Sequence, residues 1–243
     1  MNDMVLQQAL SSCSIIANLQ DCQKLVHFAH ELIKWNMVMN LTSITDESDI
    51  IWKHFVDSLL PLSYPGFLPT NARIIDIGSG AGFPGIPIAL LRPDVHITLL
   101  DGNLKRTKFL NAVTRELGLV NTAVVRGRAE EIGHDMLYRE HFDIAVSRAV
   151  ASLPTLLEYA LPFLKTNGRA LLWKGPNVYS ELIGGQSAAA VIGGIVDEPV
   201  LLAHQEYQST RYIVSVRKIT KTDSRYPRRA GIPEKRPLIL QCG

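Results

Sequence analysis

The chain has few cysteines, and their spacing does not indicate a metal site or a disulfide framework. Cys13, Cys22 and Cys242 are the only three among 243 residues, an odd number without metal-ligand spacing. Composition therefore excludes a small disulfide-stabilised secreted fold and argues against a zinc-binding module. The scarcity of cysteine favours a reduced, cytoplasmic compartment, and we expect no bound metal ion.

Long hydrophobic segments are also missing. No apolar run approaches the roughly 18 residues that a membrane-spanning helix needs. The first residues, Met1 to Val5, lack the basic start and the apolar stretch of a secretory signal. We therefore expect no association with a membrane.

Net charge is small over the whole chain but unevenly placed. The formal net charge is only +2. From Arg211 to Gly243, nine Lys and Arg residues against two acidic ones leave an excess of seven positive charges. This asymmetry favours a basic surface that binds a polyanion. A solvated tail is the alternative interpretation.

Hydrophobic spacing divides the chain into two parts. Residues 3 to about 60 have helical spacing, clearest from Cys22 to Trp35, and a further helix is predicted from Ile50 to Leu60. From about Ala72, strand and helix patterns alternate, which predicts βαβ units and a mostly parallel sheet. We predict an α/β protein with an N-terminal helical cap over 1–65, a core over 66–220 and a basic tail containing proline and glycine over 221–243.

The core elements can be placed by their apolar runs. Strands are predicted at Arg73–Ile77, Val95–Leu100, Thr122–Arg126, Phe142–Ser147, Arg169–Trp173, within Gly193–His204 and at Tyr212–Ile219. Helices are predicted at Pro84–Leu91, Leu104–Leu117, Ala129–Ile132, Leu153–Leu164 and Val178–Ala190. The tail has no periodicity and is predicted to be an extended loop. Ligands of such sheets bind outside the carboxyl ends of the strands.

A glycine-rich turn follows the first strand of the core. Asp76 lies in that strand, and Gly78, Gly80, Gly82 and Gly85 follow it. Glycine permits positive φ and lets a ligand approach the backbone. A helix starting near Phe83 is expected to direct free N–H groups at that ligand.

The spacing of the turn discriminates between nucleotide cofactors. The dinucleotide pattern requires a third glycine where this chain has Phe83, which disfavours a dehydrogenase. The observed pattern, D-x-G-x-G-x-G-x-P-G, resembles that of class I S-adenosylmethionine (SAM) methyltransferases, which implies a Rossmann-like, seven-stranded sheet. Asp101 closes the next strand, at the distance suited to ribose hydroxyls. A glycine turn without any ligand is the alternative.

Motifs along nearly the whole chain add a more specific resemblance. They are Lys34-Trp-Asn36, Asn40-Leu-Thr-Ser43, His54, Asp57-Ser58, Asp76 to Gly85, Leu99-Leu-Asp101, Lys105-Arg106, Phe109-Leu110, Arg128-Ala-Glu-Glu131, Ser147-Arg-Ala149, Lys174-Gly175 and Tyr226 to Leu238. With these motifs the chain resembles the RsmG or GidB family of bacterial 16S ribosomal RNA guanine-N7 methyltransferases. Its tail resembles that of the longer members; shorter members lack it.

The resemblance implies methyl transfer from SAM to N7 of one guanine in 16S rRNA. We expect the RNA to be free or in a small-subunit assembly intermediate, because a buried guanine must be turned out, and we expect the protein to be a cytoplasmic monomer. It implies cofactor contacts at Gly78, Phe83, Ala129, Glu130 and Arg148, with Asp101 near the ribose. The glycine motif adds Asp76 and Gly80 to this cofactor-binding set. Arg148, Lys174 and Asp57 are the candidate catalytic residues. The candidate RNA-binding residues are Lys174, Arg225, Tyr226, Arg228, Arg229 and Lys235.

The chemistry of N7 agrees with what the sequence lacks. N7 carries a lone pair and no proton, so its methylation needs positioning and no general base. Methyltransferases that act on an exocyclic amino group orient it with an Asn-Pro-Pro-Tyr-type motif after the fourth strand, and this chain has no such motif there. No cysteine follows a strand, as the nucleophile of a cytosine-C5 methyltransferase would. Asp57 and Glu131 are candidates for stabilising the cationic product base.

Each polar candidate also has a purely structural interpretation. Arg148 could form an ion pair, Lys174 could be a solvated strand-end lysine, and Asp57 could cap a helix. His54 could pack in the core, and Tyr226 could anchor the tail and not stack on a base. Asn36, Asn40 and Thr42 could line the side of the target base or only cap a helix.

Two further function classes remain open from the sequence. One is a SAM-dependent methyltransferase of a small molecule, which the basic C-terminal segment disfavours. The other is a non-catalytic RNA-binding protein that retains SAM, which the intact Asp76, Gly78 and Asp101 disfavour.

Overall fold

The computed structural model describes residues 1–148, 151–202 and 210–238. Its strands are β1 Arg73–Ile77, β2 His96–Asp101, β3 Thr122–Arg126, β4 Phe142–Arg148, β5 Leu164–Lys174, β6 Gly194–Val196, β7 Val200–Leu202 and β8 Arg211–Lys218. They form one sheet in the order β3-β2-β1-β4-β5-β8-β6, with β7 also paired to β8. The strands β1 to β5 are parallel, and β8 is antiparallel to its neighbours.

The helices lie before the sheet and between its strands. They are α1 Asp3–Ser12, α2 Leu19–Met39, α3 Glu47–Asp49, α4 Asp57–Leu59, α5 Gly85–Leu91, α6 Leu104–Glu116, α7 Ala129–Ile132, α8 Leu153–Ala160, α9 Val178–Ile192 and α10 Ile232–Lys235. A π-helical segment, Ile50–Val56, joins α3 to α4, and 3₁₀ turns cover Leu60–Ser63 and Leu161–Phe163. Among the described helices, none combines the length and apolarity needed to cross a bilayer.

The alternation of side chains along β1 explains why the sheet has helices on both faces. Ile74 belongs to the apolar cluster that contains Phe28 of α2, whereas Ile75 belongs to the cluster that contains Leu156 of α8. Successive strand residues point to opposite faces, and a central parallel strand is buried on both. The cap helices therefore cover one face of the sheet, and α8 and α9 cover the other.

The predicted fold class is confirmed, with differences at several boundaries. The segment predicted as one weak strand contains β6 and β7, which pair with the two ends of β8. The eight described strands therefore occupy seven positions across the sheet. Ala203 and His204, which belonged to the predicted strand, lie outside the described residues, as do Ala149 and Cys242. β5 begins at Leu164, five residues earlier than predicted, because this end pairs with Phe142. The helix predicted over Leu153–Leu164 becomes a 3₁₀ turn at Leu161, where Pro162 follows.

The cap is helical as predicted, with local signals at its ends. Asn18 and Asp21 form a reciprocal capping box at the start of α2. Asn40 ends this helix in the left-handed conformation, with φ of 50°, and the side chain of Asn36 accepts a hydrogen bond from the Thr42 amide. Asn36 and Asn40 therefore act as helix-end residues.

The segment after Lys221, predicted as an extended loop, is bound to the core. Arg139 donates to the carbonyl oxygens of Gly133, Thr222, Asp223 and Tyr226 at 2.8–3.2 Å. These hydrogen bonds satisfy backbone groups that a free tail would leave to water.

An ion pair with a buried carboxylate adds to this attachment. The guanidinium of Arg228 binds Glu158 of α8, with Nη2 to Oε2 at 2.6 Å, and Glu158 is fully buried. The Arg228 amide donates to the same carboxylate. The structure therefore places Arg228 in an internal contact, because a buried carboxylate requires its charge, and contact of Arg228 with RNA stays a prediction.

Replacing Arg228 is expected to destabilise the fold. Arg228→Ala leaves the Glu158 carboxylate buried without its partner, and we expect a loss of about 3 kcal/mol in the free energy of unfolding. Urea denaturation measures it. Arg229→Ala is the matched control, because Arg229 is the exposed neighbour; equal stability of both variants would show that the ion pair does not hold the segment.

Candidate active site

A cavity of about 480 Å³ opens at the carboxyl ends of β1, β2 and β3. Seven of the eight predicted cofactor residues line it, namely Gly78, Gly80, Phe83, Asp101, Ala129, Glu130 and Arg148. We call it the first cavity. Its volume is within the roughly 300–1,000 Å³ typical of ligand sites. Contact of these residues with SAM stays a prediction.

Several amides of the glycine turn are bonded within the protein and are not directed at this cavity. The amides of Gly78 and Ser79 donate to the carbonyl of Leu100, and those of Gly82 and Phe83 donate to the carbonyl of Ser79. The expectation of N–H groups aimed at a ligand from a helix starting near Phe83 is therefore wrong. The turn folds on itself instead, which suits a cofactor that lacks a pyrophosphate.

Asp76 stands behind the turn and does not line the cavity. Its carboxylate accepts a hydrogen bond from the Gly85 amide at 3.0 Å, and the side chain is fully buried. No described residue donates to its other oxygen, Oδ1. Burial raises the pKa of Asp76 to about 7. Asp76 therefore shapes the turn, and its contact with the cofactor stays a prediction.

Asp101 lies in the first cavity with capacity to accept further hydrogen bonds. Oδ2 accepts from the Gly80 amide at 2.9 Å and Oδ1 from the Asn103 amide at 2.7 Å. An ionised carboxylate has about four acceptor positions, so one remains on each oxygen. Arg106, which the sequence did not single out as a site residue, lies 3.7 Å from Oδ2.

The residues of the first cavity fit an adenosine-like group. Asp101 suits a ribose diol, and Leu100 and Ala129 supply apolar surface. Gly78 and Gly80 adopt positive φ values of 70° and 57°, which favour glycine, and they have no Cβ to occupy the space. A Cβ added at Gly80 would meet no heavy atom closer than 3.8 Å, so the space it would fill is the cavity.

The C-terminal segment reaches the wall of the first cavity. Glu130 accepts a hydrogen bond from the Gly231 amide at 2.9 Å. Tyr159, which sequence reasoning missed, also lines this cavity. Its pKa is raised mainly by burial and, to a lesser extent, by the negative charge of Glu130. The segment therefore supports a residue of the candidate cofactor site.

Arg148 joins β4 to the cap. Nη1 donates to Asp57 Oδ2 at 2.8 Å and to the carbonyl of Lys53 at 2.9 Å, and Nη2 donates to His54 Nδ1 at 3.1 Å. The guanidinium also lies over the Phe83 ring, 5.1 Å from its centroid. The ion-pair interpretation of Arg148 is thus correct, and the same side chain also lines the first cavity.

His54 is fixed in one tautomer by its neighbours. Arg148 can only donate, so Nδ1 accepts and the proton resides on Nε2, which donates to Thr42 Oγ1 at 3.1 Å. The ring stacks on Phe83 with centroids 4.2 Å apart. Burial, and then the charge of Arg148, lowers the pKa of His54 to about 3. His54 is therefore a neutral wall residue near pH 7, and Thr42 lies with it in the first cavity.

A second cavity of about 440 Å³ lies on the other side of His54 and Arg148, which together we call the dividing wall. His54 and Arg148 line both cavities. The remaining residues of the second cavity come from the cap, the end of β5, α9 and the start of β8; they are Ile44, Lys53, Asp57, Trp173, Lys174, Gly175, Pro176, Asn177, Glu181 and Arg211. Sequence reasoning found Asp57 and Lys174 but missed Glu181 and Arg211, because only folding brings α9 and β8 here.

Two predicted catalytic residues are internally paired in the second cavity. Asp57 is fully buried between Arg148 and Arg211, whose Nε lies 3.4 Å from Oδ1. Lys174 is only 9% exposed and forms an ion pair with Glu181 at 2.7 Å, so it is not a solvated lysine. Glu131, the second candidate for stabilising a charged product, is exposed and lines neither cavity.

The other predicted RNA-binding residues lie on the C-terminal segment. Arg225, Arg229 and Lys235 are exposed, and Arg225 pairs with Asp223. Tyr226 is half-buried and packs against the core, which agrees with an anchoring role. Contact of the three basic residues with RNA stays a prediction.

Filling the first cavity is expected to weaken SAM binding. Gly80→Asn places a side chain in the cavity with little backbone strain, because Asn tolerates positive φ. We expect at least a tenfold loss of affinity, about 1.4 kcal/mol, by calorimetry. Gly118→Asn is the control, since Gly118 has a similar φ of 63° and open space but lines neither cavity. Unchanged affinity in Gly80→Asn would place SAM elsewhere.

The pKa of Asp76 predicts a specific pH dependence of stability. A carboxyl whose pKa is raised in the folded state stabilises the protein when protonated, and this stabilisation is lost as pH rises through the folded pKa, here from about 4 to about 7. Asp76→Asn mimics the protonated form. We expect the stability of the wild type relative to this variant to fall between pH 5 and pH 8 in urea denaturation. A constant difference would contradict the raised pKa.

Sequence comparison identifies relatives that span the chain. The sequence model of the GidB family, described as rRNA small subunit methyltransferase G, matches residues 21–210. A protein of Leuconostoc mesenteroides named ribosomal RNA small subunit methyltransferase G is 43% identical over 95% of this chain and 97% of its own length. A protein of the same name from Alkaliphilus oremlandii is 40% identical over 96% of this chain and 98% of its own.

Structural comparison finds the same fold in more distant proteins. A SAM-dependent methyltransferase from Aquifex aeolicus superposes with a TM-score of 0.55 at 15% identity, covering 74% of this chain and 97% of that one. M. jannaschii TYW2 in complex with AdoMet superposes with a TM-score of 0.54 at 14% identity, covering 73% and 80%. These similarities confirm the methyltransferase fold, and the full-length sequence matches show that the chain belongs to the GidB family of SAM-dependent methyltransferases.

Proposed function

We propose that this protein transfers the methyl group of SAM to N7 of a guanine in the 16S RNA of the small ribosomal subunit. Membership of the GidB family supports the class of reaction. The observation that carries the proposal is the arrangement of two cavities that meet at the wall formed by His54 and Arg148. A cofactor in the first cavity and a base in the second would meet at this wall.

The residues of the wall suit a reaction that moves no proton. When bound, SAM supplies an electrophilic methyl group on a positively charged sulfur. N7 attacks with its lone pair, so the protein must align and desolvate the reactants. His54 stays neutral because its pKa is lowered to about 3, and the charge of Arg148 is compensated by Asp57. Neither group acts as a base; both position the boundary between cofactor and base.

The exposed basic residues suit a ribosomal RNA. Arg225, Arg229 and Lys235 lie on the segment whose Gly231 contacts Glu130 of the first cavity, so RNA phosphates bound there would be close to the site. A guanine buried in folded RNA must be turned out to reach N7. The proposed substrate is therefore free or partly assembled 16S rRNA, methylated by a monomer in the cytoplasm.

Methyl transfer to RNA tests the proposal directly. Purified protein is incubated with tritiated SAM and 16S rRNA, free or in assembly intermediates, and the labelled nucleosides are separated. We expect 7-methylguanosine. A different labelled nucleoside, or transfer to small molecules but to no form of the RNA, would refute the proposed function.

The exposed basic residues predict a change in the salt dependence of RNA binding. Arg229→Ala with Lys235→Ala removes two charges, so affinity should fall and the slope of log K against log salt should become shallower by about 1 to 2. Lys24→Ala with Arg115→Ala is the control, because it removes two exposed charges that line neither cavity. Equal slopes in the two double variants would indicate that the segment is merely solvated.

A further inference from the structure

The second cavity contains a fixed pair of opposite charges in its wall. Lys174 Nζ lies 2.7 Å from Glu181 Oε2 and also donates to the carbonyl of Ala151 at 3.0 Å. Glu181 Oε2 accepts a further hydrogen bond from the amide of Leu153. These contacts hold both side chains in place, at the carboxyl end of β5 and on the first turn of α9.

The pair retains one free donor and one free acceptor. The Lys174 ammonium has three protons, two of which are used by Glu181 and Ala151. Among the described residues, none donates to Glu181 Oε1. Since Lys174 is 9% exposed and Glu181 26% exposed, a ligand that fills the cavity can displace the water from both.

This order of donor and acceptor is complementary to guanine. Guanine presents the O6 acceptor next to the N1–H donor, with the N2 amino donor beyond it, whereas adenine presents an amino donor next to an acceptor nitrogen. Lysine cannot accept a hydrogen bond and an ionised carboxylate cannot donate one. Adenine would therefore place like groups against each other on both side chains, which is a repulsive arrangement.

We propose that the second cavity binds the target base and that Lys174 and Glu181 select guanine, with Lys174 donating to O6 and Glu181 Oε1 accepting from N1–H and the N2 amino group. N7 lies on the opposite side of O6 from N1, so it remains clear of the pair and can face the wall of His54 and Arg148. Uracil shares the acceptor–donor order but has no N7. This inference rests on the proposed function and specifies how that site recognises its substrate.

This recognition also explains why Lys174 is paired and buried. A lysine that binds a phosphate is normally reached from solvent, whereas Lys174 is enclosed and its partner Glu181 would repel a phosphate. An anionic ligand is therefore disfavoured at this pair, and a neutral ligand with adjacent acceptor and donor groups is favoured. The surrounding Lys53 and Arg211 side chains are 43% and 36% exposed, and they can contact the phosphates that flank the base.

The test compares guanosine with inosine, which lacks only the N2 amino group. Two 16S RNA fragments are assembled by ligation, one with guanosine and one with inosine at the methylated position. We expect the wild type to prefer guanosine in kcat/KM by about tenfold or more, since a hydrogen bond to a charged acceptor is lost with inosine. Glu181→Gln should reduce this preference to within about twofold. An equal preference in both proteins would overturn the inference.

Controls separate a recognition role from a structural one. Glu181→Gln should keep the SAM affinity of the wild type, because Glu181 lines only the second cavity. Glu198→Gln makes the same chemical change at an exposed position that lines neither cavity, and it should keep the full preference. If Glu181→Gln does not fold, Glu181→Ala removes the carboxylate altogether and should likewise lose the preference for guanosine. A preference for guanosine as large in Glu181→Ala as in the wild type, with SAM affinity unchanged, would overturn recognition by the carboxylate.

A third RNA separates failure of the inference from failure of the proposed function. It carries 7-deazaguanosine at the target position, which keeps O6, N1–H and N2 but has no N7. We expect it to bind and to accept no methyl group. Methylation of this RNA would refute N7 transfer itself, whereas methylation of the guanosine RNA with no effect of Glu181→Gln would refute only the recognition by Lys174 and Glu181.

Discussion

The contacts of Arg148 are the interaction on which the rest of the site depends. Its side chain is only 14% exposed, and the partial burial of its charge is tolerated because Asp57, the Lys53 carbonyl and His54 all accept hydrogen bonds from it. Arg148 ends a central strand, and its three partners belong to the cap. One largely enclosed cation therefore joins the cap to the sheet and fixes the positions of its three partners.

This junction also determines the division of the crevice. The carboxyl ends of the parallel strands form one continuous edge, at which ligands of this fold bind. Arg148 and His54 cross that edge, with the His54 ring held against Phe83. Trp173 adds a second link between sheet and cap, since its Nε1 donates to the carbonyl of Asp57 at 2.8 Å. The result is a cavity on each side of Arg148 and His54, with the charge of Arg148 balanced by Asp57.

The C-terminal segment combines two roles along a short stretch of chain. Arg228 faces inward to Glu158, while its neighbour Arg229 faces solvent. The inward contacts fix the segment beside Glu130, and the outward charges are thereby placed near the first cavity. A basic composition alone does not distinguish these roles. The sequence shows only that a residue is arginine, and not whether it balances a buried carboxylate or contacts a phosphate.

The amino-acid sequence specifies the fold class, the glycine turn and Asp101, because period-two and helical spacing, glycine at positive φ and an acid at a strand end are local constraints. It does not reveal that amides of the turn donate to the carbonyls of Leu100 and Ser79, or that Asp76 lies behind the turn. Glu181, Arg211 and Tyr159 entered the site only through tertiary structure, since they lie on distant elements. The partners of Arg148, Arg228 and Lys174 were likewise decided by burial: an enclosed charge must find a counter-charge, and only the folded chain shows which one is within reach.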